Sequence, residues 1–153
     1  MLCISFLLTA CGSSKVKADK KLIGTLNSTI DNQTLVSTIE IEYDSDDNAV
    51  AKGIFKTKYD NLEKTQTNNN ILAKGIDHQT KIEQLEGVEV TANATDISFD
   101  FEEIWDYNIV DTKMAMEADE EQKNFIENDK YSLEKIKAYY EKKGYSFKEK
   151  NLK

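Results

Sequence analysis

Two stretches of strand-like sequence, joined by an acidic turn, constrain the fold of this chain more than any other feature. Apolar and polar side chains alternate through residues 35–43 (LVSTIEIEY), and residues 50–59 (VAKGIFKTKY) are again strand-like. A period of two is typical of a strand that buries one face. The intervening DSDDN is rich in residues that favour turns. The sequence therefore predicts an antiparallel hairpin.

A second pair of strands is predicted further along the chain. Its members are VEVTAN at 88–93 and DISFDF at 96–101. In the latter, the alternation places Ile97, Phe99 and Phe101 on one face and polar residues on the other. We therefore expect Phe99 and Phe101 to lie on the buried side of the sheet.

Two more segments extend the predicted sheet. Residues 22–30 (LIGTLNSTI) are expected to form an edge strand, and residues 145–150 (YSFKEK) are expected to return as a strand near the end of the chain. The result is a mostly antiparallel sheet that is apolar on one side.

Apolar spacings of three and four residues predict helices that cover this side. The first helix is expected over 69–86, with asparagines at 68–70 available as caps and Gly87 as the stop. A second helix over 112–127 has only a partial apolar stripe.

The third predicted helix has the clearest boundaries. Ser132 is a suitable N-cap, and Leu133, Ile136 and Tyr140 form one face. Gly144 stands where a left-handed residue commonly ends a helix.

These segments together predict an α+β fold. We expect a mostly antiparallel sheet of four to six strands with two to three helices packed on one face. A chain of 153 residues fits one such domain, which we place at residues 22–153.

The chain begins with a short apolar run that ends in the sequence LTAC, which resembles a bacterial lipobox. On this interpretation residues 1–10 are a lipoprotein signal peptide and Cys11 receives a diacylglycerol. No lysine precedes Cys11, so we expect the true start to lie upstream of Met1. The alternative is a buried apolar terminus of a cytosolic protein. A membrane-spanning helix needs about twenty apolar residues, more than this run supplies.

Residues 11–21 are predicted to be the lipidated cysteine and a flexible tether. Positions 12–21 carry four lysines and one aspartate, which suits an anionic membrane surface and, equally, a merely solvated linker. We expect an extracytoplasmic protein whose membrane partner is reached through Cys11.

Charge is unevenly distributed over the rest of the chain. Residues 22–129 contain 24 acidic side chains and 8 lysines, a net charge of −16, whereas residues 130–153 contain 8 lysines and 3 glutamates, a net charge of +5. The acidic body excludes nucleic acid as a partner. Lys135, Lys142 and Lys143 form a candidate basic patch for an anionic envelope surface, although Lys142 and Lys143 also complement the helix dipole.

Few residues are candidates for catalysis. The chain has one histidine and no arginine, and its glycines are isolated, so we expect no metal site, cofactor or catalytic set. His78 lies on an apolar helix face and is predicted to be a core or boundary residue. Glu102, Glu103 and Asp106 are either paired carboxylates for acid–base chemistry or, as we prefer, a solvated rim.

The turn DSDDN imitates the beginning of a calcium-binding loop. Asp44, Asp46 and Asn48 match the first ligand positions, but Ala49 and Phe55 replace the required glycine and carboxylate. We interpret the segment as a solvated turn, with a weak divalent-cation site as the alternative.

Four aromatic residues form a candidate ligand surface for an apolar molecule or a sugar: Phe99, Phe101, Trp105 and Tyr107. Core packing is the alternative that we prefer, because aromatic side chains dominate cores as readily as sites.

The order of these motifs resembles the YehR-like small lipoproteins. The resemblance rests on the lipobox, the hairpin with its lysine-rich second strand, GVEVTANATDISFDF, and the closing SLEKIKAYYEKKGYSFKE. It implies an exported α+β lipoprotein in a family without an assigned activity. The weak apolar stripe at 102–130 departs from that pattern, and no catalytic residue can be carried over.

Two hypotheses about function follow. The first, which we prefer, is a membrane-anchored surface module that binds an envelope protein or polymer and is not an enzyme. The alternative is an envelope enzyme that uses the clustered carboxylates or His78. A catalytic carboxylate should converge with another polar group in a partly buried pocket.

Overall fold

An antiparallel sheet is the centre of the protein, in a computed structural model that describes residues 15–63 and 65–152. The predicted signal peptide at 1–10 and Cys11 lie outside the described residues. Within them, no helix is both long enough and apolar enough to cross a membrane.

The described residues form one sheet of six strands and a separate small hairpin. The strands of the sheet are β1 Lys20–Ile30, β2 Gln33–Tyr43, β3 Val50–Asp60, β4 Val88–Ala94, β5 Ser98–Asp106 and β8 Ser146–Asn151. Their spatial order is β4-β5-β3-β2-β1-β8. The small hairpin pairs β6 Ile126–Glu127 with β7 Lys130–Tyr131. Every neighbouring pair of strands in the large sheet is antiparallel.

The predicted hairpin is confirmed as β2 and β3. Its turn is held by backbone N–H groups that donate to aspartate side chains, from Asp46 to Asp44 at 2.9 Å and from Ala49 to Asp47 at 3.0 Å. Asn48 adopts the left-handed conformation, with φ at 58°. Asparagine tolerates this conformation better than most side chains, which explains why DSDDN turns here.

The prediction that residues 22–30 form an edge strand is wrong, because β8 pairs with β1 on the side away from β2. The edges of the sheet are β4 and β8. The predicted tether is also too long at its end, since Lys20 and Lys21 already belong to β1.

Three α-helices and a 3₁₀ helix occur in the described residues. Their bounds are α1 Gln66–Ile82, α2 Thr112–Ala118, the 3₁₀ helix Glu120–Asn124, and α3 Leu133–Lys142. The α+β prediction is confirmed, with α1 and α3 contacting side chains of one sheet face.

Helix α1 is displaced from the predicted range of 69–86. Thr65 is its N-cap and accepts a hydrogen bond from the backbone of Asn68, so the asparagines lie inside the first turns. Asn68 is instead buried, and its amide donates to the carbonyl of Glu63 at 2.7 Å. The helix ends at Ile82, and Gly87 takes a positive φ of 85° in the turn before β4.

The single helix predicted over 112–127 is wrong. Helix α2 ends before Asp119, whose backbone is extended, with φ −137° and ψ 109°. Asp119 then caps the 3₁₀ helix by accepting from the backbone of Glu121. A capping side chain that bonds the backbone this way competes with continuation of the helix, which explains the break.

Helix α3 is confirmed with its caps. The Ser132 side chain accepts from the backbone of Lys135, and Gly144 has a φ of 95° in the left-handed region. Leu133 and Ile136 are buried as the apolar stripe requires.

The helix-covered face of the sheet contains the core. Inward-facing residues that pair across neighbouring strands form rows on this face of the sheet. One row consists of Leu22, Ile41, Gly53, Trp105 and Val88. The core also includes side chains from all three helices and their connections: Ile82, Leu85, Ala115, Phe125, Leu133 and Ile136.

Helix α1 approaches this face most closely at Gly75. A Cβ at this position would lie 2.8 Å from the ring of Phe99, which is only 4% exposed. Phe99 and Phe101 therefore lie on the covered face, as predicted. The expected companion, Ile97, does not, because it precedes β5 in a bend and is 60% exposed.

Candidate functional site

A pocket of about 190 Å³ opens between the covered face of the sheet, helix α1, the 3₁₀ helix and helix α3. Strands β2, β3 and β5 supply its floor through Ser37, Ile39, Phe55, Thr57, Phe101, Glu103 and Trp105. The helices and the chain that follows them supply its walls through His78, Asp119, Glu121, Gln122, Phe125, Tyr140, Lys143 and Tyr145. Polar and aromatic side chains thus meet in one concave site.

Glu103 lies at an unexpected place in this floor. It occupies the inward row that otherwise runs Phe147, Gly24, Ile39, Phe55 and Val90, and its side chain is 13% exposed. Removing a carboxylate from water costs several kcal/mol unless it is paired and hydrogen-bonded. An apolar residue would fill the row without that cost.

Both oxygens of Glu103 have partners. Oε1 lies 2.8 Å from Nε2 of His78 on α1, and Oε2 accepts from the indole Nε1 of Trp105 at 2.8 Å. The Glu103 carboxylate accepts a hydrogen bond from the His78 imidazole and so raises the pKa of His78 above its usual 6.5. Burial of His78 opposes this rise, and nearby acidic residues add to it. The carboxylate and the imidazole are therefore held in a fixed orientation within the pocket.

A group of hydroxyls forms a second polar feature of the floor. The phenol of Tyr145 donates to Ser37 at 2.7 Å, Ser37 donates to the carbonyl of Lys56 at 3.1 Å, and Thr57 lies 3.1 Å from Ser37. Ser37 is only 5% exposed. These hydroxyls replace apolar groups that the alternation would place here.

An ammonium group stands at the mouth of the pocket. Nζ of Lys143 lies 3.0 Å from the Glu121 carboxylate and 4.3 Å from the ring centroid of Tyr139. It is also 5.7 Å from the ring centroid of Tyr140. Burial lowers the pKa of Lys143, but its contacts with Tyr139 and Glu121 outweigh that effect and raise the pKa above its ordinary value.

The candidate aromatic surface is divided by the structure. Phe101 and Trp105 line the pocket. Phe99 is buried beneath α1, and Tyr107 packs on Tyr131 with ring centroids 4.1 Å apart. Burial raises the pKa of Tyr107 well above its ordinary value, as expected for a phenol packed against the core.

The three candidate carboxylates also lie in different places. Glu102 is on the open face of the sheet, 2.7 Å from Lys56, and Asp106 accepts from the backbone of Asn108 at 3.0 Å. The interpretation as a solvated rim fits Glu102, which is 36% exposed, and is wrong for Glu103. Glu103 points inward because it follows the alternation of Phe99 and Phe101.

The candidate basic patch is dispersed. Lys135 donates to the carbonyl of Ile126 at 3.3 Å and lies 3.8 Å from Glu127 in the small hairpin. Lys142 is exposed in the last turn of α3, whereas the ammonium of Lys143 turns toward the pocket.

Metal-ligand geometry does not appear in the described residues. Among them, no group of three or more histidine, cysteine, aspartate or glutamate side chains could hold a metal ion. The carboxylates of Asp44 and Asp47 instead bond the backbone of their own turn.

Sequence reasoning missed the residues that give the pocket its polarity: Ser37, Asp119, Glu121 and Tyr145. It considered Glu103 and His78 separately but did not bring them together. One signal was present, because Glu103 interrupts the alternation of Phe99, Phe101 and Trp105 at the position where an apolar residue belongs.

A larger concavity, of about 340 Å³, lies on the open face. Two of its lysines already pair with neighbouring carboxylates, Lys56 with Glu102 at 2.7 Å and Lys58 with Asp60 at 3.0 Å. The smaller pocket is the better candidate site, because it encloses a carboxylate that is only 13% exposed and an imidazole that is 32% exposed.

Comparison with known proteins supports the fold. The NMR structure of the Escherichia coli YehR protein is similar, with a TM-score of 0.55 and 17% identity over 90% of this chain and 94% of that one. The NMR structure of a protein from Streptococcus pneumoniae TIGR4 is also similar, with a TM-score of 0.53 and 15% identity over 97% and 95% of the two chains. No curated protein matches the chain.

The resemblance to YehR-like proteins is therefore confirmed at the level of the fold. The model of a domain of unknown function, DUF8824, matches residues 12–153, which include every strand and helix described above. The chain belongs to the DUF8824 family and has a YehR-like fold.

Proposed function

We propose that this protein is a membrane-anchored binding module that holds a small ligand in the pocket around Glu103. The observation that carries the proposal is the placement of this carboxylate in an apolar row of the covered face. Replacing a buried ion pair with packed apolar residues is often neutral or stabilising, so stability alone does not call for Glu103. Binding of a ligand that needs a fixed carboxylate does explain why Glu103 occupies this position.

The pocket has the character of a small-molecule site. Aromatic walls surround a few polar groups in fixed orientations, which is the usual composition of ligand pockets. Its volume of about 190 Å³ is below the range of roughly 300–1,000 Å³ that is common for drug-sized ligands. The ligand is accordingly small, or it is a single unit of a larger envelope polymer.

Anchoring at Cys11 is the second part of the proposal and is supported by the lipobox. Val16 already donates to Asn108 at 2.7 Å, and Asp19 binds Ser45 through both its carboxylate oxygens. The five steps from Cys11 to Val16 span at most about 18 Å, so the anchored domain would lie close to the bilayer.

Native mass spectrometry of the full lipoprotein, released from bacterial membranes in mild detergent, tests the pocket. We expect a small-molecule adduct on the wild-type protein and on a Glu102→Gln variant. The adduct should be absent from a Glu103→Gln variant. Glu102 is the matched control because it neighbours Glu103 on β5 and faces the opposite side. Wild-type protein without an adduct, or equal adducts on both variants, contradicts the proposal.

Replacement of Cys11 tests the anchor. Cys11→Ser should release the protein from the membrane fraction or leave it unprocessed, because the serine hydroxyl cannot replace the thiol at position 11 that would carry the lipid. Cys3→Ser is the matched control and should change neither fractionation nor mature mass, since Cys3 belongs to the predicted signal peptide. A Cys11→Ser protein that fractionates and migrates like wild type contradicts lipidation there.

A second candidate function is an envelope enzyme in which Glu103 and His78 act as acid and base. The convergence of these two groups at 2.8 Å in a pocket favours it. The adduct experiment separates the two functions. For an enzyme, His78→Gln should retain a compound whose mass differs from that released by wild type, because the bound substrate is no longer converted. For a binding module, wild type and the His78→Gln variant should release the same compound.

A further inference from the structure

We infer that the ligand is a small organic cation, a primary ammonium carried on an apolar body, and that its ammonium replaces that of Lys143 at the pocket mouth. This inference rests on the proposed function and adds to it the chemical class of the ligand. Three observations carry it: an internal ammonium already in position, an excess of carboxylates and an aromatic lining.

Lys143 shows how the mouth recognises an ammonium. Its Nζ contacts the Glu121 carboxylate at 3.0 Å and stands over the face of Tyr139 at 4.3 Å. Cations are attracted to aromatic faces within about 6 Å of the ring centroid. The side chain remains 46% exposed and extends from the residue that caps the C-terminal end of α3, so it can withdraw into solvent when a ligand cation arrives.

The remaining charges of the pocket favour a cation. Glu103, Asp119 and Glu121 contribute three carboxylates, and Lys143 and His78 contribute the basic groups. When Lys143 withdraws, the lining has three carboxylates against a single imidazole. An incoming ammonium supplies the positive charge that Lys143 removed, whereas a carboxylate or phosphate would increase the excess of negative charge in the pocket.

Aromatic rings provide the surface for the body of the ligand. Phe55 and Tyr140 lie with centroids 5.9 Å apart, and Phe101 and Trp105 complete the floor. A pocket of about 190 Å³ suits a compound with one ring or a short chain.

Three probes of matched size test the charge class on the full lipoprotein in detergent: benzylammonium, benzyl alcohol and benzoate. Trp105 is the sole tryptophan of the sequence and His78 the sole histidine, so tryptophan fluorescence and the imidazole resonances both report directly on the pocket. We expect saturable changes in both signals with benzylammonium, weaker binding of benzyl alcohol, and the weakest binding of benzoate.

Replacing Lys143 should change the affinity in opposite directions for a cationic and an anionic ligand. Lys143→Gln should strengthen benzylammonium binding by about two- to fivefold, because it frees Glu121 and the Tyr139 face. An anionic ligand would instead lose affinity. Lys142→Gln is the matched control, since it removes the same charge from the neighbouring exposed position and should leave the affinity unchanged.

Glu121→Gln should weaken benzylammonium binding by about fivefold. Its control is Glu120→Gln, because Glu120 pairs with Lys123 in the 3₁₀ helix and does not line the pocket. Benzoate binding tighter than benzylammonium, or weaker benzylammonium binding by Lys143→Gln, overturns the cation assignment and leaves the proposed function standing. If none of the probes changes either signal, the cation assignment fails together with the pocket as a binding site for small rings.

Discussion

The two faces of the sheet use the same kind of side chain in opposite ways, and Glu102 and Glu103 make the comparison within two residues. On the open face, Glu102 forms an ion pair with Lys56 at 2.7 Å, and both side chains remain well exposed. On the covered face, Glu103 is 13% exposed and bonded to His78 and Trp105. The two side chains carry the same carboxylate group and differ in their exposure to water.

This difference in solvent exposure indicates which charged side chains are informative about function. Exposed ion pairs contribute about 0–1 kcal/mol, since solvent and salt screen them. The pairs Lys21 with Glu40 and Lys58 with Asp60 also lie on the open face. A carboxylate within the covered face is expensive and must be fully paired. The pocket around Glu103 is therefore the feature that folding alone does not explain.

The largest expected effect belongs to the apolar part of the covered face. Phe99→Ala should lower the free energy of unfolding by about 3–5 kcal/mol, because it removes a buried ring from beneath α1. Phe101→Ala should cost less, about 1–3 kcal/mol, since its ring is half-buried at the pocket. Urea denaturation checks both values. A loss below about 1 kcal/mol for Phe99→Ala would mean that this side of the sheet is not a packed core.

A smaller effect is expected where the covered face is polar. Glu103→Ala should lower the free energy of unfolding by about 1–3 kcal/mol, because it leaves the Trp105 indole N–H and the His78 imidazole without their partner. Glu102→Ala, the matched change on the open face, should cost less than about 1 kcal/mol. The same urea titration measures both variants. Equal losses in the free energy of unfolding would contradict the proposed difference between the two faces.

The pH dependence of the His78–Glu103 pair sharpens the contrast further. The folded-state pKa of His78 lies above 6.5, so the pair contributes its full stability below that pH and loses it as the pH rises through the raised pKa. The stability difference between wild type and His78→Gln should therefore be largest in mild acid. An NMR titration of the His78 ring gives the pKa, and Glu103→Gln should lower it. Titration of wild-type His78 at or below 6.5 contradicts the pairing.

The smallest effect is expected on the open face. Lys56→Met should change the free energy of unfolding by less than about 0.5 kcal/mol, and the change should vanish in 1 M salt, where the Debye length is roughly 3 Å. Thermal melts at low and high salt measure it. A salt-independent loss would show that Lys56 stabilises the sheet through packing of its stem instead of its charge.

Local patterns were sufficient for the individual elements. Strands β2 to β5 follow from alternation and turn residues, and α3 follows from its serine cap, its stripe and its terminal glycine. These signals are local because a strand's period and a helix's cap depend on residues a few positions apart. The same reasoning failed at Asp119, where one side chain ended a helix that its weak apolar stripe could not maintain.

What the sequence determined by itself is the alternation that turns Glu103 inward, together with the set of segments that must cover an apolar sheet face. Tertiary structure alone decided that β8 covers β1 and removes it from the edge, and that His78 of α1 meets Glu103 across 25 positions of sequence. It also brought Lys143 to Glu121, and Tyr145 to Ser37. The physical reason is that partners in strand pairing and helix docking are chosen by burial of the whole core, which no local window of sequence contains.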